Sequence, residues 1–331
     1  MTKKMVNSSQ RSTLQMMLVA SRALAALRPT LLALLIAGGA RLTGGAEHPI
    51  SFCNVLFVGN LCAALTVGIW FGFSALLQDI KKTKLPVLIG LAVNGCLAAA
   101  LSALIFLGLQ ETTVTNAVLL GRLGPVLFAI IGAVALGQSI RRLEWIGFSL
   151  IIGGVVGIAL TTNGLRANQG DLLILMSTVV YTVSSLINHL TIAKKASLRL
   201  IVFSRNFISA TIFFAIALRL FGPMHFADAF SGSLWVLMAI YALVVVVCAQ
   251  FLWYASANRL DAKTIGRLTV VSPIFGVTYA FLLNGERPSV TQTITLAVVI
   301  AGVVVASFGK QAKKPSRLTE PSKDSEDVAS V

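Results

Sequence analysis

Charged side chains inside long apolar runs are the first residues to examine for chemistry, because each costs about 3 kcal/mol or more at the centre of a helix in lipid. Arg122 lies in the apolar run 113–136, about nine residues from its start and so near its middle at about 1.5 Å per residue. Pro125 follows shortly after and has no N–H to give a helix. The guanidinium could hold a carboxylate or phosphate through two parallel bonds. It could equally bond backbone carbonyls that the proline leaves free. Tyr181 forms a polar stripe at helical spacing with Ser177, Ser184, Ser185 and Asn188. Such a face points to a wet cavity or to a neighbouring helix. Gln250, Tyr254 and Asn258 make a second stripe, with Trp253 beside it. Arg267 follows Lys263 by one turn, which suits a basic cavity mouth or a contact with headgroups. Arg205, near the start of its run, suits a gate or a lipid contact. The candidates to face a bound molecule are therefore Arg122, Tyr181, Ser184, Gln250, Tyr254 and Arg267. No Asp or Glu sits in the middle of a run: Glu111, Asp171 and Glu286 fall at run ends and Asp261 in a linker.

The elements that must position these groups are set by composition. The 331 residues are 56% hydrophobic and only 12% charged, with a mean hydropathy of +0.86. A soluble domain is nearer a quarter charged. The apolar residues fall in runs of about 20, long enough to span a hydrocarbon core as helix. Helices are expected at about 29–46, 51–76, 85–108, 113–136, 143–161, 171–192, 200–222, 233–256, 262–283 and 289–308. The fold class is thus an all-α polytopic membrane protein of about ten spans. Residues 1–28 read as a basic cytoplasmic segment, with an amphipathic helix over 11–28 lying on the membrane. Residues 309–331, rich in Lys, Ser, Pro and Glu, read as a disordered cytoplasmic tail.

Charge placement orients the spans. With ten helices, twenty Lys and Arg collect on the side that holds both termini and four on the other. Lys and Arg favour cytoplasmic loops, so both ends are expected in the cytoplasm of a cell that carries the chain in its inner or plasma membrane. The net charge of +15 is therefore a topology signal, and nucleic acid is excluded as a partner. The halves also repeat. Pro125, Gly137-Gln138 and Gly154-Val155-Val156 recur as Pro273, Gly285-Glu286 and Gly302-Val303-Val304, each 148 residues on. The two units, 29–161 and 170–308, have five helices each. An odd number makes the second enter from the opposite side, an inverted repeat.

With these residues the chain resembles the EamA-type branch of the drug/metabolite transporter superfamily. The resemblance rests on Pro125 and Pro273, the Gly137-Gln138 and Gly285-Glu286 pairs, Gly147, Gly153, Gly154 and Gly302. It rests also on Gly170-Asp171-Leu172-Leu173 and on Arg205 in Phe203-Ser204-Arg205-Asn206. Gln138 stands where Glu is usual, and the first half has no arginine matching Arg205. The resemblance implies a central cavity lined by the first, third, fourth, sixth, eighth and ninth helices. It implies structural or hinge roles for Pro125, Pro273, Gly154 and Gly302.

The expected function is secondary transport of a small organic solute, anionic or zwitterionic, such as an amino acid or a related compound, since inverted repeats rock about a midplane site. A lipid flippase or a non-transporting membrane protein on the same fold is the alternative. No enzyme, metal or cofactor is expected. HExxH, paired carboxylates and a P-loop are missing, and Cys53, Cys62, Cys96 and Cys248 lack metal spacing. The lipid bilayer is the other expected partner. Gly153 with Gly157, and Gly302 with Ala306, have small-xxx-small spacing that serves packing within the bundle or homodimerisation.

Overall fold

In lipid each backbone N–H and C=O must be satisfied within its own segment, which apolar runs of this length achieve as helix. The computed structural model describes residues 8–42, 52–136, 140–161, 168–192, 195–223, 232–257, 259–260, 262–269 and 271–309. Among them no strand occurs. The helices are α1 (Ser8–Leu42), α2 (Phe52–Phe71), α3 (Phe73–Lys82), α4 (Leu85–Glu111), α5 (Val114–Leu120), α6 (Leu123–Leu136) and α7 (Arg142–Thr161). They continue with α8 (Gln169–Ile187), α9 (Leu198–Phe221), α10 (Gly232–Tyr241), α11 (Ala249–Ala257), α12 (Ala262–Thr269), α13 (Ser272–Asn284) and α14 (Val290–Gly309). π-Helical segments extend α8 over Asn188–Ile192 and join α10 to α11 over Ala242–Cys248. Among the described residues, seven stretches are long and apolar enough to cross a membrane, or eight if the bent pair α2–α3 is one span.

Several expected helices are broken, each for a local reason. The run 51–76 bends by 93° at Gly72, whose φ of +82° only glycine adopts readily. The helix beyond the bend, α3, is held to the start of α9 by Asp79. That carboxylate accepts two bonds from Arg199, at 2.6 and 2.9 Å, and one from the Ser197 hydroxyl. The run 113–136 divides into α5 and α6 just ahead of Pro125, and 262–283 divides into α12 and α13 just ahead of Pro273.

The first helix differs most from expectation. It begins at Ser8 and not at 29, runs through Pro29, and its membrane-length stretch is Gln10–Ala37. Residues 11–28 are therefore part of a long bundle helix and not a separate amphipathic segment. Leu14, Leu18, Ser21 and Ala26 are buried on it. It packs chiefly against α11 and α13, and the Ser21 hydroxyl donates to the Ala249 carbonyl at 2.7 Å.

α7 and α14 make the most extensive pairing. An ideal Cβ on Gly147 would lie 2.5 Å from the Gly302 carbonyl oxygen, and one on Gly302 would lie 2.8 Å from that of Gly147. Further along α7, Gly154 faces Thr295 and Val299. The partner number falls as the α7 number rises, so the two helices run antiparallel. Adding 148 to Gly154 gives Gly302, and adding it to Gly147 gives Thr295; the pairs exchange. The close approach is thus made by Gly147 and Gly302. Of the two small-xxx-small pairs, Gly302 with Ala306 packs inside the bundle against Gly147, whereas a Cβ on Gly153 would meet nothing within 4 Å. α4 runs against both α8 and α9, with Phe106 fully buried.

Candidate functional site

Local breaks in α5–α6 and α12–α13, together with α1, α4, α8 and α10–α11, surround a cavity of about 790 Å³. A second lobe of about 270 Å³ adjoins it. Arg22, Arg28, Tyr181, Arg205, Gln250 and Trp253 line both. Arg122 and Pro125 line the larger lobe at the α5–α6 break, as do Pro273 and Gly276 at the start of α13. Among the described residues, no Asp or Glu lines either lobe.

Arg122 sits where the break frees backbone. Its own N–H donates to the Leu119 carbonyl at 3.0 Å and not to that of Val118. The Val118 carbonyl is taken up by Arg122 Nε at 3.3 Å. Nε serves the backbone while the residue lines the cavity. Arg22, Arg122 and Tyr181 line the larger lobe together. The Arg22 guanidinium also stacks on Trp253, 3.9 Å from the ring centroid, which spreads its charge over an aromatic face. Arg28 donates to the Ser102 hydroxyl at 3.3 Å. The Nε atoms of Arg22 and Arg28 are buried and without a hydrogen-bond partner.

One end of the cavity is shut by a polar cluster. Glu286 accepts from the backbone N–H groups of Val114 and Thr115, at 2.7 and 2.9 Å, and from the Thr115 hydroxyl at 2.8 Å. A carboxylate there completes the donors at a helix N-terminus. Asp171, only 2% exposed, accepts from the Thr112 hydroxyl and from Asn116 at 3.4 Å. Gln292 donates to Asn116 Oδ1 at 2.7 Å, and its Oε1 accepts from the Ser289 N–H in a capping box at the start of α14. Along α8 the order is Asp171 in this cluster, Ser177 in the large lobe and Ser184 in the small lobe. Along α4 it is Thr112, Ser102 and Asn94. The lobes thus lead away from the cluster.

Of the residues singled out by sequence, Arg122, Tyr181 and Gln250 come together on the cavity. Ser184 borders the small lobe but donates to Asn94 Oδ1 and so ties α8 to α4. Tyr254 and Arg267 lie on α11 and α12, and their side chains fall outside the described residues, as do Lys263 and Asn258. Pro125 and Pro273 lie at the breaks, whereas Gly154 and Gly302 lie on the α7–α14 crossing. Arg205, read as a gate or lipid contact, lines both lobes. Arg22 and Arg28 were missed. The signal available was the run Leu14–Ala37, apolar except for Gln15, Ser21, Arg22, Arg28 and Thr30.

Long apolar helices around a cavity lined by arginines and apolar side chains define a multi-pass membrane protein of the transporter class. The chain belongs to the EamA-like transporter family, whose model matches residues 30–160 and again 168–308. An uncharacterized transporter of Synechocystis is 32% identical over 287 residues, covering 81% of each chain. A riboflavin transporter of Fusobacterium nucleatum is 26% identical, over 76% of this chain and 87% of that one. A probable amino-acid metabolite efflux pump of Salmonella typhimurium is 24% identical, over 57% and 66%. A solved crystal structure with 19% identity and a TM-score of 0.55 covers 87% of this chain and 96% of that chain, a likeness of fold.

Proposed function

We propose that this chain is a secondary transporter that moves a small organic metabolite, anionic or zwitterionic, by alternating access. Arg122 carries the reading: a guanidinium is held at a helix break, tethered by Nε, and turned to a cavity shut at one end. Ten crossings in two inverted halves are proposed to form the bundle. The antiparallel α7–α14 pair, with contacts that exchange on a 148-residue shift, supports the inversion. Pro125 and Pro273 are proposed as the hinges at which α5–α6 and α12–α13 flex. The relatives named for riboflavin and amino-acid metabolites support small organic solutes in general. Both termini are proposed to face the cytoplasm of the cell membrane.

Reconstituted vesicles loaded with a metabolite extract, with efflux followed by mass spectrometry, test this reading. At least one solute is expected to leave protein-containing vesicles faster than empty ones. Arg122→Ala is expected to slow that efflux at least tenfold while eluting as a folded monodisperse species. Unchanged efflux from the variant, or none above empty vesicles from the parent, sinks the proposal.

A further inference from the structure

We infer that the transported solute carries two separate anionic groups, one bound between Arg22 and Arg122 and the other at Arg28. The inference rests on the transporter reading and names its substrate class.

Three of the four arginines that line the lobes are arranged as two poles. The first is Arg22 of α1 with Arg122 at the α5–α6 break, both lining the larger lobe beside Tyr181. The Trp253 ring beneath Arg22 fixes its plane. The second is Arg28, steadied by the Ser102 hydroxyl. Both poles stand on one helix six residues apart, a rise of about 9 Å along its axis. That span suits one small molecule with an acid at each end.

Charge accounting narrows the class. Among the described residues, four arginines and no carboxylate line the lobes. Three acids among the described residues are committed elsewhere: Glu286 and Asp171 bond the shut end, and Asp79 holds Arg199. A buried charge needs a partner, and for Arg22, Arg122 and Arg28 the solute supplies it. One carboxylate would answer the first pole and leave Arg28 with only the neutral Ser102 hydroxyl. A zwitterionic amino acid would in addition bring an ammonium into a site that is already cationic. Two anionic groups on one solute answer both poles and leave no added positive charge. The buried, unpartnered Nε atoms of Arg22 and Arg28 point the same way.

Carboxylate and phosphate share this chemistry, so the test has an arm for each. Purified full-length protein in detergent is titrated at constant ionic strength with glutarate, adipate and phosphoglycolate. The singly charged controls are butyrate and glycolate, and the zwitterionic control is alanine. Thermal stabilisation gives apparent affinity, and counterflow in vesicles repeats the ranking. At least one dianion is expected to bind tenfold or more tightly than every control. Glutarate or adipate leading marks a dicarboxylate; phosphoglycolate leading marks a phosphorylated acid. Arg28→Ala should bring the dianion down to its monoanion, and Arg28→Lys should restore part of the gap. Alanine or a monoanion binding as well as the dianions, or no dianion binding at all, overturns the inference. Counterflow of a control solute in that case would leave the transporter reading standing, so the two failures are separable.

Discussion

At the scale of single residues, Glu286 shows how much one carboxylate can join. Its two oxygens take the first-turn N–H groups of α5 and the Thr115 hydroxyl, so the turn between α13 and α14 is pinned to a helix about 170 residues earlier in the chain. Bonds donated to a carboxylate contribute more than neutral ones, about 1.5–3 kcal/mol each in protein series. Glu286→Ala is therefore expected to lower stability by about 2–3 kcal/mol, read as a shift in the unfolding midpoint in detergent. Glu286→Gln, which keeps an acceptor oxygen, should recover about half. An unchanged midpoint for the alanine variant would mean that the cap contributes nothing. The sequence placed Glu286 at a helix end and matched it to a family motif. It did not disclose the partner, because no local pattern links residues 114 and 286. Arg122 was legible for the opposite reason: a charge within an apolar run announces itself.

At the scale of elements, the α7–α14 pair depends on a close approach of backbone at two glycines. A Cβ on Gly147 would meet the Gly302 carbonyl and the Ala306 N–H at 2.5 and 2.6 Å, backbone atoms that cannot step aside singly. Gly147→Val is expected to cost about 3 kcal/mol, the upper part of the range for overpacking, or to deny folded protein altogether. Gly153→Val, one helical face away with open space around it, should stay within about 0.5 kcal/mol of the parent. Midpoints that match for the two variants would refute the crossing. Spacing pointed to Gly153, which has Gly157 one turn on, and not to Gly147, which stands between Ile146 and Phe148. The breaks were more readable. Pro125 and Pro273 mark where α5–α6 and α12–α13 part, because a residue without N–H leaves a carbonyl to be satisfied otherwise. The bend at Gly72 was not, because a glycine in an apolar run is as compatible with a straight helix as with a φ of +82°.

At the scale of the whole molecule, the first helix was the part least legible in sequence. Positive charges near an N-terminus normally count toward topology, and that rule assigned Arg22 and Arg28 to the cytoplasm. The structure turns them into the cavity, where Trp253 and Ser102 receive them. Trp253, and the Ala249 carbonyl that takes Ser21, belong to the second half of the chain. A fragment ending after Thr161 should therefore hold α1 poorly in the membrane. Insertion scales charge each central arginine about 2.5–3.5 kcal/mol, with little in the fragment to offset it. Glycosylation mapping of the fragment is expected to show mixed orientations where the full chain shows one; a single orientation in both would contradict the dependence. The consequence reaches the order of assembly during synthesis. The ribosome makes α1 well before α11, yet Ser21 and Arg22 find the Ala249 carbonyl and the Trp253 ring only after α11 has emerged. The earliest segment of the chain is then the last to settle, and the bundle is sealed by its own beginning.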